Sequence, residues 1–141
     1  MALICDTSGV LALYDAAHAH HAASAAVVEA EVGDLLVPVV LLAEIDYLLH
    51  SRLGAEAAYD FLRAVVEQDF ILVPIEKADV VRCRELLDQY RDLEIGVADA
   101  SMVAAAERLG IFRLLSFDQR HFRAITPRNF SHFILLPADA P

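Results

Sequence analysis

The sequence predicts an α/β fold built on a mostly parallel sheet. Three observations carry that expectation. Five short apolar runs are each stopped by proline or a small polar residue; the segments between them have helical length and spacing; and the runs are apolar throughout rather than alternating, as in strands covered on both faces. Strands that alternate with helices in this way form a parallel sheet between helical layers.

Ala2-Leu3-Ile4-Cys5 is the first strand, and Asp6-Thr7-Ser8-Gly9 after it is helix-start chemistry. Helical spacing begins over Val10 to Tyr14, and an Ala-rich helix is expected from Ala16 to Val32, closed by Gly33-Asp34. Leu35-Leu36-Val37-Pro38 is the second strand. A helix from Val39 to Leu53 ends at Gly54, and another spans Ala55 to Glu67. Phe70-Ile71-Leu72-Val73-Pro74 is the third strand, followed by an amphipathic helix from Glu76 to Tyr90 that uses Val80, Val81 and Leu87. Val97 to Leu109 is helical up to Gly110. Ile111-Phe112-Arg113-Leu114-Leu115 is the fourth strand, and Phe133-Ile134-Leu135-Leu136 is a short fifth. Neither a repeat nor a linker interrupts the chain, so residues 1–141 are expected to form one domain.

Composition narrows the function. The chain has 141 residues, 57% of them hydrophobic, which excludes a disordered protein; 5 Gly and 5 Pro exclude a fibrous one. With 11 Lys and Arg against 21 Asp and Glu, the net charge is −10. A passive nucleic-acid coat or a membrane-surface binder needs the opposite balance. An enzyme with a few local nucleic-acid contacts is not excluded. Cys5 and Cys83 are too few for a disulfide framework, and Cys5 reads as a small buried hydrophobe. The N-terminus has no basic region and Asp6 cuts its apolar run, so no secretory signal is expected. The longest uncharged apolar stretch runs only from Leu35 to Ala43, against the roughly 20 residues a membrane helix needs. A cytoplasmic protein is the expectation.

Most acids fall where solvated helix faces are expected: Glu29, Glu31, Asp60, Glu67, Glu85, Asp88 and Glu107. Four do not. Asp6 and Asp118 each follow a strand, and strand C-termini share the edge where open parallel sheets bind ligands. Glu44 has Val40, Leu41, Tyr47 and Leu48 as its helix neighbours, and Asp99 opens a helix above Met102, Val103 and Ala106. Taken singly, each has an ordinary reading: Asp6 and Asp99 as helix caps, Glu44 as half of an arginine pair, Asp118 as a turn residue. Gathered together, buried carboxylates repel one another and lose hydration unless a cation compensates. Lys77 is the only lysine, and no arginine lies in the segments around Asp6, Glu44 or Asp99. A divalent metal is the natural counter-charge, and all-oxygen ligation selects Mg²⁺ or Mn²⁺ over zinc.

The same four positions carry a family resemblance. Ile4-Cys5-Asp6-Thr7-Ser8, Leu42-Ala43-Glu44-Ile45-Asp46-Tyr47, Asp99-Ala100 and Ser116-Phe117-Asp118-Gln119-Arg120-His121-Phe122, in that order, resemble a PIN domain of the VapC type, the toxins of bacterial toxin–antitoxin pairs. The resemblance implies a three-layer α/β/α fold with a central mostly parallel sheet and a Mg²⁺- or Mn²⁺-dependent ribonuclease site. It assigns the acidic quartet to Asp6, Glu44, Asp99 and Asp118, both as metal ligands and as catalytic residues. Thr7, Ser8 and Ser116 fall on supporting positions, with Ser116 where threonine is commoner. It further implies hydrolysis by a bound water, leaving a 5′-phosphate and a 3′-hydroxyl, an RNA substrate, an antitoxin that covers the site, and a homodimer. Asp46 lies roughly 200° round the helix axis from Glu44 and is left out of the ligand set.

Charge is distributed unevenly. Residues 1–107 hold 6 basic and 19 acidic residues, whereas residues 108–141 hold 5 Arg and 2 Asp. Arg113, Arg120, Arg123 and Arg128 surround Asp118 in sequence and suit RNA phosphate or an antitoxin; balancing the acidic remainder is the competing role. His18, His20 and His21 are expected on a solvated helix face, and His121 as a loop-positioning residue. Leu48, Leu49, Leu53, Tyr59, Phe61 and Leu62 are expected in the core or on a dimer face. Three rivals remain. One is a non-catalytic PIN-fold interaction module, although all four acids are present. A haloacid-dehalogenase-type phosphohydrolase would need a second Asp at Ser8 and a catalytic lysine, for which Lys77 is poorly placed. A receiver domain would need a lysine where Arg113 stands.

Overall fold

The computed structural model describes residues 2–141. Its elements, in chain order, are β1 (Leu3–Cys5), α1 (Thr7–Tyr14), α2 (His21–Ala30), β2 (Leu35–Pro38), a 3-10 turn (Val39–Leu41), α3 (Leu42–Leu53) and α4 (Ala55–Val66). β3 (Ile71–Val73), α5 (Lys77–Gln89), a 3-10 turn (Arg91–Leu93), α6 (Val97–Leu109), β4 (Arg113–Leu115), α7 (Gln119–Ala124) and β5 (Ile134–Leu136) follow. The five strands pair in the order β3-β2-β1-β4-β5, and every pairing is parallel.

That order fixes both the layers and the site. The chain steps from β1 to β2 to β3 in one direction, then returns past β1 to add β4 and β5 on the other side. Right-handed crossovers therefore put α1 to α4 on one face and α5 to α7 on the other. The packing agrees: α1 contacts α2 and α3, α3 lies along α4, and α5 lies along α6. The direction reverses between β1 and β4, and a crevice opens at the strand C-termini at such a point. Ile4 pairs with Leu114 and Cys5 with Leu115, so the residues that follow, Asp6 and Ser116, leave the sheet side by side.

The core is continuous through the three layers. Leu3, Ile4, Cys5, Leu114 and Leu115 are fully buried in the central strands, between Leu41, Ile45, Leu49 and Phe61 on one flank and Leu86, Met102 and Val103 among the other buried residues. α6 is buried along almost its whole length, from Ala100 to Glu107. Gly9 has a steric reason. A Cβ there would lie 2.5 Å from the Leu115 carbonyl oxygen and 2.7 Å from Leu115 Cγ, so only glycine lets α1 approach β4 this closely.

Several boundaries differ from expectation, each for a local reason. α2 begins at His21 rather than Ala16, because Asp15 turns the chain: its Oδ1 accepts from Ala17 N, and its carbonyl accepts from His18 N. β4 begins at Arg113 rather than Ile111, because the Gly110 and Ile111 amides still bond to Ala106 O behind a left-handed Gly110. α7 is too short to leave a periodic signal, though Asp118 caps it. Two acids expected in solvent are paired and buried instead, or nearly so, and a third acid, Asp79, is buried as well. Glu107 receives Arg82 at 2.7 and 3.0 Å, and Glu31 pairs with Arg113. Asp79 closes a reciprocal cap with Glu76 and binds Arg108.

Candidate metal centre

Asp6 ends β1 and caps α1. Its Oδ1 accepts from Thr7 N at 2.8 Å and its Oδ2 from Ser116 Oγ at 2.7 Å. Burial pushes its carboxyl up to about 6; those two hydrogen bonds oppose the rise, and the charges of Asp99 and Asp118 add to it. Ser116 is the hub across the strand pair: besides donating to Asp6, it accepts from Asp118 N at 3.1 Å. Ser8 Oγ lies 3.5 Å from Ser116 Oγ and accepts from Phe117 N at 3.0 Å. Thr7 supports Asp6 through its backbone alone, and its Oγ1 is buried without a partner.

Asp118 heads α7, with Oδ1 accepting from His121 N at 3.2 Å. Asp99 stands in the first turn of α6, half-buried. Burial, then the charge of Asp118, hold its carboxyl above the usual range, while His121 pulls the other way and Glu44 adds repulsion. His121 Nδ1 sits between the two acids, 2.8 Å from Asp118 Oδ2 and 3.2 Å from Asp99 Oδ2. One ligand atom from each of Asp99, Asp118 and His121 thus falls within 4.8 Å of the others.

Glu44 differs from expectation. It stands in the first turn of α3 but is exposed, so no apolar face buries it; it reaches the site only as a charge felt by Asp99. Asp46 is half-buried and makes no hydrogen bond or ion pair among the described residues.

Does this set fit a divalent cation? Among the described residues no lysine or arginine pairs with Asp6, Glu44, Asp99 or Asp118, and one imidazole nitrogen is shared by two carboxylates that also repel Asp6. The donor set is chiefly carboxylate oxygen, converging and short of positive charge, which is the chemistry a hard cation satisfies. The residues fit. His121, expected to position the loop, lies between two of the acids, and the signal for this is the three-residue step from Asp118, which places both on one side of a short helix.

The arginines are unlike one another. Arg113 opens β4, at the strand end away from the acids, and pairs with Glu31. Arg123 is bound to Asp139, and Arg128 to Glu85. Arg120, exposed in the first turn of α7, has no ion pair or side-chain hydrogen bond among the described residues. The histidines before α2 do not line a helix face either. His20 stacks on Phe117, with ring centroids 4.8 Å apart, and His18 lies 5.7 Å from the same ring.

With this geometry in view, the comparisons agree on a class. The PIN domain family model matches residues 3–126, and the chain belongs to that family. It is 33% identical over 135 residues to Ribonuclease VapC26 of Mycobacterium tuberculosis, covering 96% of this chain and all of that protein. Its fold is similar to the crystal structure of M. tuberculosis VapC20, a sarcin-ricin loop cleaving toxin, with a TM-score of 0.77, 21% identity and coverage of 83% of this chain and 90% of that one. It is also similar to VapBC2 of Rickettsia felis bound to a promoter DNA fragment, with a TM-score of 0.70, 18% identity and coverage of 96% and 97%.

Proposed function

We propose that this chain is a Mg²⁺- or Mn²⁺-dependent ribonuclease that cuts RNA internally, acting as the toxin of a toxin–antitoxin pair. The observation that carries the proposal is the gathering of Asp99, Asp118 and His121 within 4.8 Å of one another, with Asp6 at the β1/β4 crevice close enough to feel the charge of both acids and no pairing lysine or arginine among the described residues. The similarity to a ribonuclease over nearly the whole chain supports the same reading.

Asp6, Asp99 and Asp118 would hold the ion, with Glu44 approaching from α3. When bound, such an ion supplies an acidified water and stabilises charge on the scissile phosphate. Ser116 keeps the Asp6 carboxylate oriented, and Arg120 is free to meet a phosphate. Water is the nucleophile in this reading. The Cys5 thiol is buried and pushed far above its usual range, and Ser8 and Ser116 are engaged in hydrogen bonds. Attack by water leaves a 5′-phosphate and a 3′-hydroxyl.

The alternative phosphohydrolase has no support in the geometry. Ser8 bonds to Phe117 N instead of providing a second carboxylate, and Lys77 is exposed at the start of α5. Residues 1–141 act as one unit, since β5, beyond the family match, completes the sheet against β4. The partners are RNA and an antitoxin protein, and a second copy of the chain fits α3 and α4. Leu49 and Phe61 are fully buried there, while Tyr47, Tyr59, Leu62 and Val66 are left exposed. No helix among the described residues is long and apolar enough to cross a membrane; a cytoplasmic location is part of this proposal.

The test needs no knowledge of the substrate. Mn²⁺ at ten times its dissociation constant should stabilise the protein by about 1.4 kcal/mol, on the order of 4–5 °C. Asp99→Asn should blunt that shift and abolish metal-dependent RNA cleavage, while melting no lower than the parent without metal. If Mn²⁺ moves neither melt and Asp99→Asn simply destabilises, Asp99 is a helix cap and the proposal fails.

A further inference from the structure

Three aromatic rings from two distant parts of the chain meet beside the metal centre. Phe117 lies between Ser116 and Asp118, the two residues that build the site at the end of β4. His18 and His20 come from the connection between α1 and α2. The centroid separations are 4.8 Å for His20–Phe117, 5.7 Å for His18–Phe117 and 5.8 Å for His18–His20, and the His20 and Phe117 planes differ by only 21°. Three such similar distances describe a triangle. The phenyl ring is therefore not sandwiched, since a sandwich would put the two imidazoles much further apart than either lies from the ring.

The shelf is built rather than incidental. His20 N donates to His18 Nδ1 at 3.0 Å, which fixes the imidazole of His18 and leaves its proton on Nε2. His18 N bonds to Asp15 O, His21 N to His18 O, and His21 Nδ1 lies 2.8 Å from Ala12 O, anchoring the connection to α1 at its far end. On the other side, Ser8 Oγ holds Phe117 N. His20 itself is exposed and provides no side-chain cap for α2; its ring makes no hydrogen bond among the described residues and is held by its aromatic neighbours alone.

We infer that His20, Phe117 and His18 form a stacking shelf for an unpaired base next to the phosphate presented to the acids. The inference rests on the ribonuclease reading and adds to it a subsite for one base of the RNA, which must leave its own stack to reach the shelf. Two arguments favour a base. Aromatic and imidazole faces accept any base by stacking. The shelf is also tied to the site through the backbone, since Phe117 stands directly between Ser116 and Asp118 and its N–H donates to Ser8 Oγ. No guanidinium belongs to the shelf; stacking and phosphate contact are divided between it and Arg120.

The experiment uses a mixed-sequence single-stranded RNA decamer carrying 2-aminopurine, bound to the full chain in EDTA so that nothing is cut. Stacking should quench the 2-aminopurine, and His20→Ala should weaken binding by about fivefold or more, the lower range for loss of a stacking ring. His20→Tyr should restore affinity, because it keeps a flat face. A matched decamer of abasic ribose-phosphates should bind parent and His20→Ala alike. Unchanged binding by His20→Ala, equal loss with the abasic strand, or failure of His20→Tyr to rescue would each overturn the inference. Metal-dependent cleavage of total RNA is measured alongside. Cleavage that persists while His20→Ala changes nothing removes the shelf and keeps the nuclease. Base-dependent quenching without any cleavage removes the nuclease reading and keeps the base-binding surface.

Discussion

Ser116 Oγ donates to Asp6 Oδ2 at 2.7 Å across the β1–β4 pair, and the same oxygen accepts from Asp118 N at 3.1 Å. One hydroxyl thus ties the carboxylate of Asp6 to the backbone of Asp118, two acids that follow different strands. Ser116→Ala leaves the buried Asp6 carboxylate with one donor fewer and should cost about 2 kcal/mol, or roughly 5–10 °C in Tm. It should also weaken Mn²⁺ binding, seen as a smaller metal-induced shift. Ser116→Thr keeps the hydroxyl and should retain most of that shift.

The metal-free protein should show an inverted pH dependence at this site. The Asp6 carboxyl is raised by burial from 3.8 to about 6. Between those values the unfolded chain has lost the proton and the folded chain keeps it, so stability falls as pH rises through the window. Asp6→Asn removes the effect. The stability difference between Asp6→Asn and the parent should therefore grow in favour of the variant by about 2 kcal/mol from pH 4 to pH 7. Urea titrations at several pH values in EDTA measure it. A difference that stays flat with pH would mean that the Asp6 carboxyl titrates alike in the folded and unfolded chain.

The strands and most helices were legible because proline, glycine and apolar runs mark them locally. β2 and α6 have the bounds the pattern predicts, Leu35–Pro38 and Val97–Leu109. The site was legible in part. Asp6 and Asp118 could be placed at one sheet edge from their positions after strands, but the strand order that makes β1 and β4 neighbours is non-local, and so is the Ser116–Asp6 bond. The buried pairing of Glu107 with Arg82 was invisible for the same reason, since 25 residues separate them. Glu44 shows the reverse error. Its helical neighbours are apolar, yet the first turn of α3 stands at the sheet edge and leaves it in solvent.

Gly9 links the packing to the site. Gly9→Ala would gain helix propensity, but its Cβ would meet the Leu115 carbonyl, a backbone atom of the central sheet that cannot step aside. A net loss of about 1–3 kcal/mol is expected, as for other overpacked core positions. Because Leu115 precedes Ser116, the displaced strand end should also lower Mn²⁺ affinity. A variant as stable as the parent would show that α1 can shift without disturbing β4.

Arginine substitutions should separate structure from substrate contact. Arg82→Ala strips Glu107 of a two-pronged partner in a nearly buried pair, with side chains 12% and 7% exposed. Leaving that carboxylate unpaired should cost about 3–5 kcal/mol. Glu107 also accepts from Arg128 N at 2.8 Å, so the segment after α7 should loosen as well. Activity measured well below the melting temperature should survive. Arg120→Ala should do the opposite. It should change stability by less than about 0.5 kcal/mol, weaken RNA binding, and lower the salt dependence of that binding by about one unit of slope. Loss of RNA affinity in Arg82→Ala at low temperature, with none in Arg120→Ala, would move the phosphate contact from α7 to the α5–α6 face.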